Sequence, residues 1–365
     1  VLELLVRETI TFTFELAEPY EFDCKVSFGY RLMVVDIGHL NTRRTIMEPL
    51  PRGANFRRAK FLWELGLNVA GNPDTPYGGN RDMCIVVGNG SGEAFRPALR
   101  MATGSPILAL DVARGGLEMA MVNPSAFLTQ AYRGIGLYTE ALPLRIVAMY
   151  PSYDRFVFML NPQTGIRSLK DIKDRKYPLH VSVKEDKTHS TRVFIDQALS
   201  YYGFTLEDIV SWGGRLNITG APNDPRRMNA LRKGELDGIF DEGLGVWLAE
   251  ALQCGMQFID LEPDHFEYLG KLGWRRVCIP AGKWGTKHAH WCIDYSGWPL
   301  YANESLPDKI VYEVARAAAA REDQILWEKD YSGLSAVFSE TDASPMDVPL
   351  HPGAERFWRE YRRNK

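Results

Sequence analysis

From Met83 onward the chain alternates short apolar runs with amphipathic stretches. The runs at 83–87, 117–122, 144–149, 156–160, 179–183, 238–240 and 257–259 predict strands with little polar exposure. Between them, 125–132, 190–202, 225–233 and 245–253 carry apolar residues at helical spacing. In the second of these, Phe194, Ala198 and Tyr202 recur every four residues with Ile195 and Leu199 alongside, a stripe that needs a sheet to cover it. The first run ends in Gly88-Asn89-Gly90-Ser91-Gly92, and 93–102 follows with helical character. That opening predicts a strand, a glycine-rich turn and a helix, and the alternation as a whole predicts an α/β chain.

Residues 1–80 read differently. Alternation at 9–14 and 25–35 predicts strands and 55–67 predicts a helix. The stretch 70–80 then packs Gly, Pro and Asn into a connection that breaks both patterns. This segment is taken as an N-terminal extension of unassigned role, and the chain carries no internal repeat or low-complexity run.

A length of 365 residues leans toward two lobes, and 45% hydrophobic with 24% charged residues excludes disorder as the main theme. The formal net charge is -3, which lacks the basic excess that phosphate-backbone binding needs, so nucleic acid is not expected as a partner. No apolar run approaches the roughly 18 residues that span a bilayer. The five cysteines form no CxxC pair and read as free thiols. Glu3, Arg7, Glu8, Glu15 and Glu18 give the first residues no signal-peptide character. The expected location is therefore periplasmic if a leader was removed and cytoplasmic otherwise.

Four phrases occur in a telling order: the opening at 85–92; Arg114-Gly115-Gly116-Leu117-Glu118-Met119-Ala120-Met121-Val122-Asn123-Pro124-Ser125; Gly165-Ile166-Arg167-Ser168-Leu169-Lys170-Asp171-Ile172-Lys173, echoed by 231–238; and Val348-Pro349-Leu350-His351-Pro352-Gly353-Ala354-Glu355-Arg356-Phe357. Together they resemble the TAXI family of solute-binding proteins that serve TRAP transporters. The resemblance covers about 82–360. It implies a two-lobed, type II periplasmic-binding-protein-like α/β fold, with the mixed N-terminal extension outside it. Lobe one would hold 82–150 plus 275–345, lobe two 155–272, and 346–365 would be a tail packed on lobe one. The implied activity is closure over a small, usually anionic organic solute, with membrane permease subunits as partners and no cofactor.

In open α/β sheets, ligands sit beyond the carboxyl ends of strands, where helix N-termini offer N–H donors. The candidate contacts are accordingly Asn89, Gly90, Ser91 and Gly92 after the first strand, and Asn123 and Ser125 after 117–122. In lobe two they are His189, Ser190, Thr191 and Arg192, with the two hydroxyls as helix caps. Tyr150 and Arg155 stand at the expected lobe crossing, and Trp247 and Trp298 are weaker aromatic candidates. This lobe-two turn is bulkier and more charged than the family's small Ser-Gly-Thr loop. Asp241 and Glu242 also depart from the family, and at a strand end they would disfavour a simple anion unless a cation pairs with them.

Two further readings compete. His288, His290 and Cys292 alternate and on a strand would share a face able to hold zinc, although no fourth ligand is evident. An enzyme on the same fold, a decarboxylase or hydrolase of a small or aromatic acid, would use His189, Asp241 or Glu242 as acid and base groups. Against it, the chain has no GxSxG elbow, no HExxH and no dinucleotide fingerprint.

Overall fold

The computed structural model describes residues 2–8, 14–17, 21–24, 30–35, 61, 65–66, 83–88, 98–150, 152–320 and 344–363. The chain divides into two compact units, 1–80 with 316–321 and 81–315 with 322–365. In the first, β1 (Leu2–Glu8) pairs antiparallel with β4 (Tyr30–Val35), and β2 (Phe14–Ala17) with β3 (Glu21–Cys24). Most of the helix predicted over 55–67 lies outside the described residues.

The second unit holds two sheets. The first runs β5-β6-β7-β16-β8, built from β5 (Met83–Gly88), β6 (Ala98–Gly104), β7 (Met119–Val122), β8 (Leu144–Tyr150) and, after a long excursion, β16 (Trp298–Asn303). Short helices α1 (Leu108–Ala113) and α2 (Ala126–Arg133) connect its strands.

The second sheet runs β11-β10-β12-β9-β15-β14 with β13 on β9. Its strands are β9 (Arg155–Leu160), β10 (His180–Lys184), β11 (Arg215–Thr219), β12 (Gly238–Asp241), β13 (Gln257–Phe258), β14 (Arg276–Ile279) and β15 (His290–Asp294). Between them lie α3 (Leu169–Arg175), α4 (Ser190–Ser200), α5 (Leu206–Ser211), α6 (Pro225–Arg232), α7 (Leu248–Gln253) and α8 (Pro263–Lys271). Helices α9 (Asp308–Ala319) and α10 (Pro352–Arg363) follow β16.

The periodic stripe of α4 is buried as its spacing requires: Phe194, Ile195, Ala198 and Leu199 are inaccessible to solvent. Each large member contributes about 1.5–3 kcal/mol by leaving water. Phe194 sits among Phe156, Trp274 and Tyr295, with ring centroids 4.6, 4.4 and 6.3 Å away. Phe127 of α2 meets Trp274 edge-on at 5.2 Å, and Gln130 of α2 exchanges two hydrogen bonds with Gln197 of α4, at 3.1 and 2.8 Å. The two sheets are thus clamped on this side by a continuous aromatic seam with a polar lock.

Three features differ from, or refine, the sequence pattern. The helix predicted over 93–102 is replaced from Ala98 by strand β6, paired antiparallel with β5 and parallel with β7. Pro97 explains this, because proline removes a helix hydrogen bond and biases its predecessor toward extended backbone. Arg100 then anchors the strand: its N–H and guanidinium bond the Glu118 carboxylate at 2.6–3.0 Å. Second, β14 and β15 extend the second sheet, with Ile293 opposite Phe156 and Asp294 opposite Arg155. The return to the first sheet comes at β16, since Ile279 and Cys292 bury their side chains with the residues of β9, β12 and α7. Third, the C-terminal segment pairs with β8: Ile146 and His351 exchange backbone bonds with Pro349 and Ile146 at 2.9 and 2.8 Å, and the Trp358 indole donates to the Val147 carbonyl at 2.8 Å.

Candidate functional site

The topology brings one set of chain ends together. Strands β6, β7 and β8 run the same way, so their carboxyl ends share an edge with the start of the antiparallel β16. In the other sheet the ends of β10 and β12 meet the start of β9. Two crossings, through 152–154 and 295–297, connect the sheets. They are laced together by Asp154 N–H to Ser296 Oγ (3.0 Å), Tyr295 N–H to the Asp154 carbonyl (3.0 Å) and Gly297 N–H to Ser152 Oγ (2.8 Å).

A cavity of about 680 Å³ opens at this junction. Thr103, Gly104 and Ser105 from the end of β6, with Met121, Asn123, Tyr150 and Trp298, line it from the first sheet. Ser152 and Asp154 come from the crossing, and Asp186, His189, Ser190 and Glu242 from the second sheet. No lysine or arginine is among these lining residues.

His189 caps α4: its ring Nδ1 accepts the Thr191 N–H at 3.1 Å. The neutral ring that makes this bond carries its proton on Nε2. Asn123 is fixed by donating through Nδ2 to the carbonyls of Tyr295 and Gly297, at 3.3 and 3.1 Å.

Behind Glu242 lies a buried ion network. Arg227 of α6, fully buried, donates to Asp241 Oδ2 at 2.5 Å, Ser182 Oγ at 2.9 Å, Thr219 Oγ1 at 3.0 Å and the Pro222 carbonyl at 3.0 Å. Lys184 Nζ stands 3.4 Å from Asp241 and 3.2 Å from Glu242. Burial alone would raise the Asp241 carboxyl, but the Lys184 and Arg227 charges hold it below the usual carboxylate value. Asp154 behaves oppositely: burial, then the neighbouring Glu242 carboxyl, push it well above that value.

A sequence profile covers much of this unit: that of the NMT1-like family matches residues 100–361. The chain belongs to the NMT1-like family. Two α/β sheets joined by crossings, with their strand ends facing a common cavity, give this NMT1-like chain a type II periplasmic-binding-protein-like fold. Several solved structures are similar to it. The alkanesulfonate-binding protein SsuA from Xanthomonas axonopodis pv. citri, bound to MOPS, is 12% identical over 70% of each chain with a TM-score of 0.30. The periplasmic aliphatic sulphonate binding protein SsuA from Escherichia coli is 13% identical over 61% of this chain and 60% of that one, with a TM-score of 0.32. The ferric binding protein from Campylobacter jejuni is 13% identical over 68% and 79%, with a TM-score of 0.32.

Of the residues expected in the NMT1-like site, Asn123, Tyr150, His189, Ser190 and Glu242 line the cavity. Asn89, Gly90, Ser91 and Gly92 lie outside the described residues. Five others face elsewhere. Asp241 is sealed by Arg227 and Lys184. Arg155 is buried and bound to Asp294 and Ser296 at 2.7 Å each, stacked on Tyr153. Arg192 is buried and donates to the Lys184 carbonyl at 3.0 Å. Ser125 and Thr191 are buried in the starts of α2 and α4, Ser125 makes no side-chain cap bond, and the cap expected of Ser190 and Thr191 is supplied by His189.

The zinc reading also changes. His290 and Cys292 do alternate on β15, but His290 stacks on Phe258 at 3.9 Å and stands 3.3 Å from Asp260. Cys292 is buried, and His288 precedes the strand. Among the described residues no group of three His, Cys, Asp or Glu could hold a metal ion.

Sequence reading missed Thr103, Ser105, Ser152 and Asp154 as site residues. Reading 98–104 as a strand after Pro97 would have exposed the first two as a strand-end turn. Asp154 carries no local signal, since only the antiparallel entry of β9 beside β12 brings it to Glu242.

Proposed function

We propose that this NMT1-like solute-binding receptor serves a TRAP-type transporter of the TAXI kind, taking a small organic acid or related polar solute into the cavity and presenting it to membrane permease subunits from the periplasmic side. The observation that carries the reading is the cavity itself. Its lining residues converge from the strand ends of both sheets and from the crossings between them, the place where closure of two lobes would enclose a solute. Ser105, His189 and Ser190 give the cavity a polar side, while Tyr150, Trp298 and Met121 supply apolar walls. The four phrases at 85–92, 114–125, 165–173 and 348–357 support the TAXI assignment within the broader family.

The enzyme alternative loses one of its acid and base groups, because Asp241 is locked in ion pairs away from the cavity. The test is to titrate the purified chain with organic acids, amino acids, amines and sugars while following each solute by NMR. Saturable binding with the solute recovered unchanged is expected; consumption of a bound solute would replace the receptor by an enzyme.

A further inference from the structure

The charges around the cavity do not balance, and the imbalance points at the ligand. Asp241, Glu242 and Asp154 are three carboxyls served by two cations, Lys184 and Arg227. Arg155 does not correct the count: its guanidinium binds the Asp294 carboxylate and the Asp154 backbone carbonyl, at 2.7 Å each. Arg192 is turned to a carbonyl and to Glu207 at 4.0 Å. Asp186 adds another carboxylate to the lining, and among the described residues no lysine or arginine lines the cavity.

Asp154 is held rigidly, its Oδ1 accepting the N–H groups of Arg155 and Gly243 at 2.8 and 3.0 Å. Asp154 and Glu242 both line the cavity. A ligand cation placed there would offset the excess negative charge, whereas a ligand carboxylate would add to it.

Resting on the receptor reading above, we propose that the solute carries an ammonium or guanidinium group that seats against Asp154 and Glu242. A simple dicarboxylate is not the ligand.

The test is isothermal titration of the full chain with agmatine, L-lysine, succinate, malate and glucose at millimolar concentration. Agmatine or L-lysine is expected to bind with a saturable heat. Glu242→Gln, and independently Asp154→Asn, should weaken that binding by about tenfold or more. Binding of succinate, malate or glucose without either cation overturns the inference and leaves the receptor reading standing. Cation binding that neither Glu242→Gln nor Asp154→Asn weakens also overturns it. Binding of none of the five overturns both.

Discussion

Asp241 offers the sharpest structural prediction, because its sequence position suggested a ligand contact and its surroundings assign it to stability. The carboxylate is fully buried, accepts from Arg227 at 2.5 Å and from the Glu242 N–H at 2.9 Å, and faces Lys184 at 3.4 Å. Asp241→Ala leaves Arg227 without its anion and Lys184 with Glu242 alone. Breaking a buried pair from one side costs about 3–5 kcal/mol, a large share of the roughly 5–15 kcal/mol that keeps a domain folded. Urea unfolding of the full chain, followed by tryptophan fluorescence, should show the midpoint fall by that equivalent. Lys170→Ala, which breaks the exposed pair with Asp174, should cost about 0–1 kcal/mol. The contribution has a pH signature as well: a carboxyl held below its unfolded value stabilises above about pH 4 and loses that contribution as pH falls further. An Asp241→Ala variant within 1 kcal/mol of the parent, indistinguishable from Lys170→Ala, would refute the reasoning.

Three other outcomes follow from particular residues. Burial pushes His265 down to about 4, so the neutral ring stabilises fully above its unfolded value near 6.5 and the contribution fades as pH drops from there toward 4, by up to about 1.4 kcal/mol per unit; His265→Phe should flatten that limb in urea titrations. Burial raises the Cys292 thiol to about 12, so iodoacetamide at pH 8 should modify exposed Cys84 and Cys254 and spare Cys292 when peptides are mapped by mass spectrometry. Asp224 caps α6 by accepting the Arg226 N–H at 2.8 Å and also accepts the Gly220 N–H of the preceding turn at 3.0 Å, and Asp224→Ala should lower stability by about 1 kcal/mol in chemical denaturation.

How much of this was legible in the sequence depends on how local the determinant is. The α4 stripe, the strands β7 to β10 and β12 and the helix α6 could be read because apolar periodicity is a property of neighbours in the chain. Strand β6 was only half legible: Pro97 is a local signal against a helix there, but its anchor is an ion pair between Arg100 and Glu118, eighteen residues apart. The same limit explains the site. His189, Ser190 and Glu242 follow strand ends and announce themselves by position, whereas Asp154 gains its role only from the sheet order that sets β9 beside β12. Asp241 and Glu242 look alike in sequence, and at the end of β12 they part, one to Arg227 in the interior and one to the cavity. His189 was legible as a polar group near a helix start but not as its cap, because histidine is not a favoured cap residue and the bond depends on ring orientation.

The central claim is that the chain encloses a small solute and returns it unchanged. Native mass spectrometry of the gently purified full chain, followed by denaturation and identification of what is released, tests it most directly. The account predicts one released small molecule per chain, bearing a cationic nitrogen, that rebinds intact on refolding or exchange. A chain that carries no adduct and whose melting point is moved by no amine, amino acid, organic acid or sugar would contradict it, as would a released molecule that the protein converts into another.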